Sequence, residues 1–310
     1  MKSLQRLWWV LLLLLVVQGD ERAYPSSFRL PTAAPAENVG TGRSNTPART
    51  TAWAEAQGAQ TSEVSFWKGS EAFAKGSLLL DRMDASHYQV YAVRRDKPGT
   101  VEQHALDTDV IMVLEGEATF VTGGSITDAR ALSRNEASGS GIRDGESRQL
   151  GKGDVVIVPN GTPHWFRRVS PSISYFAVKL RQENAQRQAP SSVLYWTGPG
   201  AFGKGGMLHD EQEGRFNRVY ALRRDKPLGV ELHSVDTDIV LVVEGSGTFV
   251  TDGIITEPRS LRPDEGSGTS IRNGNPRQLD KGAVLVMPKG TPHWLREING
   301  TIDFFAVKVR

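Results

Sequence analysis

"GDVVIVPNGTPHWF", Gly153 to Phe166, is an apolar, β-branched run cut by a proline and an Asn-Gly turn just before a histidine. The four residues Val155 to Val158, bounded by Gly153 and Pro159, make a short strand and not a helix. Side chains alternate along an extended chain, so His164 and Phe166 share one face and Trp165 takes the other. The phrase returns as "GAVLVMPKGTPHWL", Gly282 to Leu295. A shift of 129 residues superposes the two without a gap, and 60 of the 118 positions from Val64 to Arg181 are then identical to their partners. The chain holds two copies of one unit, too long for a solenoid repeat and right for a domain.

A second repeated phrase concentrates the polar residues. "GTVEQHALDTDVIMVLEG" runs from Gly99 to Gly116 and "LGVELHSVDTDIVLVVEG" from Leu228 to Gly245. A metal cage, a catalytic carboxylate pair and a charged hairpin are the candidate explanations. Glu102 and His104 point the same way, and beyond a turn Asp109, Ile111 and Val113 share a face opposite Val110, Met112 and Leu114. If the two strands pair as a hairpin, Asp109 returns close to His104, and an inward His164 would complete a set of four donors. Glu231, His233, Asp238 and His293 repeat that set.

Each reading has a plainer rival. The histidines are otherwise core residues held by a carboxylate without metal, and Glu102 is otherwise an ion-pair partner of Arg94, Arg95 or Arg143. Asp107 and Asp236 read as turn formers, since Asp caps a tight turn through its own backbone. Glu102 and Asp107 are also the candidate general bases. Trp165 and Trp294 face away from the motif histidines, toward another strand or subunit, which leaves a homo-oligomer open.

The rest of each unit reads as strands. "YQVYAVRR", "DVIMVLEG", "EATFVTGG", "DVVIVPNG" and "ISYFAVKL" are β-branched or aromatic runs between Gly, Pro, Asn and Asp clusters, the pattern of an antiparallel sandwich or barrel. The one helical hint is a turn at "EAFAKG".

Composition narrows the setting. Lys2 and Arg6 precede an apolar run from Leu7 to Val17, the form of a secretory signal peptide and shorter than the roughly 20 residues of a membrane span. Removing those two charges from the 37 basic residues leaves 35 against 35 acidic ones, no footprint for nucleic acid or a membrane surface. There is no cysteine, so stability rests on core burial. Residues 1–19 are read as the signal, 20–61 as a flexible linker, 62–181 as the first domain, 182–192 as a second linker and 193–310 as the second domain. A secreted or periplasmic location follows, with no membrane partner after signal cleavage.

Gly153, Pro159, Gly161 and His164, with Gly282, Pro288, Gly290 and His293, match the second motif of the cupin superfamily at every spacing. In the first motif His104, Asp109 and Gly116, with His233, Asp238 and Gly245, occupy the second His, the Glu and the Gly places. The chain resembles a bicupin, with Glu102 and Glu231 where the family has its first His and Arg168 and Glu297 at its final Asn. The resemblance implies an all-β fold of two tandem antiparallel double-stranded β-helix (jelly-roll) barrels, each holding a divalent metal. Two imidazoles and two carboxylates accept Mn, Fe, Zn or Ni, and the carboxylates would neutralise the ion, which weakens its Lewis acidity. The implied function is a metal-dependent oxidoreductase, decarboxylase or isomerase acting on a small polar, carboxylate- or sugar-like molecule. The alternative is a non-catalytic ligand-binding or structural cupin without metal.

Overall fold

The computed structural model describes residues 63–74, 76–181, 192–203, 205–210 and 217–310. The signal peptide, the first linker and nearly all of the second lie outside the described residues. Two antiparallel barrels account for the described chain, with short helical turns at Gly69–Ala72, Met83–Ser86 and Gly198–Gly203.

The first barrel is built around two long strands, Asp107–Thr122 and His164–Arg181, paired along most of their length. The sequence divides each of them into shorter runs. They stay continuous because each crosses from one sheet to the other through a bend, where the register slips between Ser170 and Ile173. Gly116 sits at that bend with φ +82°, and a Cβ there would lie 2.0 Å from the Ser172 carbonyl oxygen. Gly245 repeats the conformation at φ +87°, 2.2 Å from Thr301 O. A side chain at either site would meet both an unfavourable backbone region and a neighbouring strand, which is why the motif needs glycine there.

Alternation along these strands serves two cores at once. Ile111, Val113, Ile173, Tyr175 and Ala177 face the interior of the first barrel. Val110, Met112, Phe176, Val178 and Leu180 face outward into a larger core shared with Val219, Ile239, Leu241, Phe305 and Val307 of the second repeat. Both faces of the sheet are therefore dry, which explains runs such as "DVIMVL" with no polar residue after the first.

The two barrels meet about a pseudo-two-fold relation. Phe176 and its repeat partner Phe305 cross edge-on with centroids 6.4 Å apart. Lys152 Nζ lies 2.8 Å from Glu244 Oε2, and the equivalent Lys281 Nζ lies 2.6 Å from Glu115 Oε1.

Each repeat also lends its opening strand to the other barrel. Ser65–Trp67 pairs with Val284–Met287, and Leu194–Trp196 pairs with Val155–Val158. The barrels are thus not the spans 62–181 and 193–310 taken whole. Periodicity reports that a strand exists and which face is apolar, but not which edge receives it. Asp154 anchors the lent segment of the second repeat: its carboxylate accepts from Tyr195 Oη at 2.8 Å and from Gly198 N at 2.8 Å. Burial, followed by that bond to Asp154, pushes the Tyr195 phenol up to about 12.

Phe176→Ala and Phe305→Ala should each cost about 3–5 kcal/mol by leaving a cavity at the junction. Because the rings touch, the double variant should cost less than the sum, and urea denaturation of the four chains measures the difference.

Candidate metal centre

The polar residues gather where the inward faces of three strands converge. Val101–His104 supplies Glu102 and His104, Asp107–Thr122 supplies Asp109, and His164–Arg181 supplies His164. His164 stands directly across from Glu102 in the strand pairing. His104 Nε2 is 3.7 Å from Glu102 Oε2 and 3.3 Å from Asp109 Oδ2. His164 Nε2 is 3.8 Å and 3.1 Å from the same two oxygens. Among the described residues Glu102 makes its ion pairs with these imidazoles, and not with Arg94, Arg95 or Arg143.

The second barrel reproduces the arrangement. His233 Nε2 lies 3.6 Å from Glu231 and 3.4 Å from Asp238, and His293 Nε2 lies 3.6 Å and 3.3 Å from them. The histidines and aspartates of both sets are buried, while the Glu102 and Glu231 side chains remain 41% and 39% exposed. The glutamates form the wet side of each cluster.

Outer hydrogen bonds aim the imidazoles. His104 Nδ1 donates to Glu136 Oε2 at 2.9 Å, and His164 Nδ1 donates to the Thr162 carbonyl at 3.1 Å. His293 Nδ1 donates likewise to Thr291 O at 2.9 Å. With Nδ1 protonated and engaged, Nε2 is the nitrogen that faces the carboxylates.

One participant escapes the motif reading. Lys179 lies directly across from Asp109, on the same face as Tyr175 and Ala177, and donates to both Asp109 oxygens at 3.1 and 3.3 Å. Its Nζ is also 2.5 Å from His104 Nε2. Lys308 takes the equivalent place in the second barrel, forming an ion pair with Asp238 Oδ1 at 2.8 Å and lying 2.7 Å from His233 Nε2. The signal was a lysine at the same place in both repeats, inside the runs "YFAVKL" and "FFAVKV" with no other charged residue.

Asp107 is not a turn former. It opens the strand Asp107–Thr122 and is buried, paired across to Arg181 through two bonds of 2.8 and 3.0 Å, with Asn135 Nδ2 2.7 Å away. Asp236 pairs with Arg310 at 2.7 Å. Asp-Thr-Asp therefore faces Lys-x-Arg on the neighbouring strand, giving two stacked ion pairs in each barrel. The Asp107 carboxylate is engaged by the Arg181 guanidinium and the Asn135 amide.

The electrostatics favour positive charge at the centre. Burial opposes ionisation of Asp109, but Lys179 and the two imidazoles outweigh it and hold the carboxyl well below its usual range. Burial likewise disfavours a proton on His104, yet hydrogen bonds to Asp109 and Glu102 win against it and against Lys179, raising the group to about 10. Burial also works against ionised Glu231, and the bonds from His233 and His293 reverse it, so its carboxyl falls below the ordinary value.

Ligand atoms of Glu102, His104 and His164 lie within 4.8 Å of one another, as do those of Glu231, His233 and His293. Two imidazole nitrogens and one carboxylate, aimed inward by outer hydrogen bonds, are a donor set that fits a divalent cation. Asp109 and Asp238 border the set with their charge already matched by lysine. With Lys179 counted, a divalent ion would leave the cluster positive and not neutral, so the weak Lewis acidity expected from two carboxylates does not follow.

Lys179→Met should destabilise the chelator-treated protein by about 3–5 kcal/mol, because it leaves the buried Asp109 carboxylate without its cation. Adding Asp109→Leu should recover most of that loss in urea denaturation.

Comparison with known proteins agrees with this architecture. Residues 86–199 match the family model described as Cupin. No curated protein sequence matches the chain significantly. Among solved structures, the salicylate 1,2-dioxygenase of Pseudaminobacter salicylatoxidans is similar at TM-score 0.51 and 11% identity, covering 80% of this chain and 84% of that one. Protein Ylba from E. coli is similar at TM-score 0.51 and 11% identity, covering 80% and 91%. At such identities these likenesses speak for the fold alone. The family match covers residues 86–199, and the doubled jelly-roll barrel agrees with a cupin fold in both repeats.

Proposed function

We propose that the protein is an exported bicupin that holds one divalent metal in each barrel and binds or transforms a small polar molecule beside it. The observation that carries this reading is the convergence of Glu102, His104 and His164 within 4.8 Å, repeated by Glu231, His233 and His293. Export rests on the apolar run of residues 7–17 behind two basic residues.

A bound metal would supply a Lewis-acid centre with open positions for a ligand. Mn, Fe, Zn and Ni all accept mixed nitrogen and oxygen donors. The protein's own part is orientation: Glu136 and Thr162 aim the imidazoles, and Lys179 holds Asp109 in place beside them. Glu102 is the group open to solvent, and where it does not ligate it is the carboxylate placed to move a proton.

A second reading has its own support. Lys179 Nζ stands 2.5 Å from His104 Nε2, in the place a metal bound to that nitrogen would take, so the lysine and a metal exclude each other there. A barrel in which lysine stays put would be a metal-free binding module.

Elemental analysis of the full-length protein after expression with Mn, Fe, Zn and Ni decides between them. The metal reading expects about two equivalents per chain, falling to about one in His104→Ala and in Glu102→Gln. Less than about a tenth of an equivalent in the unaltered chain sinks the metal reading and leaves the binding module.

A further inference from the structure

The two barrels share their polar cluster but differ in what fills the space beside it. In the first, the Arg95 guanidinium lies over the rings of Phe166 and Tyr175, 5.2 and 5.8 Å from their centroids. Arg95 Nη2 donates to Tyr175 Oη at 3.2 Å. Its Nη1 occupies the space over Gly99, where a Cβ would fall 2.3 Å away. Phe166 and Tyr175 stack on each other at 4.8 Å. The arginine is thus folded into the wall as packing.

The second barrel keeps the arginine, as Arg224, and removes each of those features. Leu228 stands where Gly99 gave room, Leu295 replaces Phe166, and Phe304 replaces Tyr175 with its hydroxyl. Three substitutions act on one side chain. Arg224 instead lines a cavity of about 310 Å³ that also reaches Glu231, His233 and His293. That volume suits a small ligand.

Charge pairing around this cavity isolates Arg224 further. Lys308 is matched by Asp238, Arg218 by Asp236 and Arg262 by Glu265. Asp264 is held by Arg310, and Glu231 by the two imidazoles. Among the described residues Arg224 is the cation of the lining with no acidic partner; its Nη1 donates to the backbone oxygen of Arg223 at 3.1 Å. Leu222, Phe249 and Phe304 supply apolar wall beside it.

We infer that the second barrel is the ligand-taking barrel and that Arg224 anchors the carboxylate of a small acid with an apolar body. A guanidinium fork matches a carboxylate through two parallel hydrogen bonds, and its partner here must come from outside the chain. The first barrel, with its arginine stacked into the wall, does not take this ligand. The inference rests on the reading of the barrels as small-molecule sites, and not on whether a metal is bound.

Calorimetric titration of the full chain, chelator-treated and metal-loaded, with benzoate and hexanoate tests it. The expected result is one saturable site per chain for at least one acid, with its neutral amide, benzamide or hexanamide, weaker by about tenfold or more. Arg224→Gln should weaken the acid by about tenfold or more, while Arg95→Gln leaves its affinity unchanged. The triple variant Leu228→Gly, Leu295→Phe, Phe304→Tyr rebuilds the first barrel's wall and should also abolish binding with Arg224 retained. Equal affinity for acid and amide, loss of binding in Arg95→Gln instead of Arg224→Gln, or no saturable binding of either acid up to about 10 mM would each overturn the proposal. Metal content, measured on the same samples, reports separately on the metal reading.

Discussion

Burial of both faces of one strand pair underlies the rest of this molecule. Residues 110–114 of Asp107–Thr122 and 173–180 of His164–Arg181 present one side to the barrel interior and the other to the core between barrels. Neither face can carry an unpaired charge without a desolvation cost, so buried charged residues are confined to places where they meet partners. Lys179 against Asp109 and Arg181 against Asp107 are those places. The polar cluster is an extension of a strand pairing, held as rigidly as the core beside it.

That origin explains how the cluster can be precise without disulfides. His104 is aimed from outside by Glu136, and His164 and His293 by the carbonyl two residues before each. The aspartates are held by lysines rooted in the strand opposite. Only the glutamates reach water. Each cluster therefore has a fixed inner wall and one exposed acidic edge, and two such clusters in one chain follow from duplication.

Duplication has also allowed the barrels to diverge while the scaffold stayed paired. The reciprocal lysine–glutamate bridges and the crossing of Phe176 with Phe305 keep the junction symmetric. Changes at Gly99, Phe166 and Tyr175 and their partners alter only the interior of one barrel. The scaffold tolerates this because those side chains face away from the shared core.

Much of this was legible in the sequence. The repeat, the strands, the inward parity of Glu102, His104, Asp109 and His164, and the outward parity of Trp165 all follow from period-two alternation, which is a local property of extended chain. Lys179 was legible too, as an inward lysine kept in both repeats, although it lies outside both histidine motifs. Three features depended on the tertiary structure. Asp107 meets Arg181 only because strands distant in sequence lie side by side, and an aspartate ahead of a strand looks locally like a turn residue. The lent strands at Ser65–Trp67 and Leu194–Trp196 could not be foreseen, since a backbone edge offers the same hydrogen bonds to any partner. The fate of Arg95 and Arg224 was decided by residues four to eighty positions away, because whether a guanidinium is buried in a wall or faces a cavity depends on the volume its neighbours leave, and volume is set only when the barrel closes.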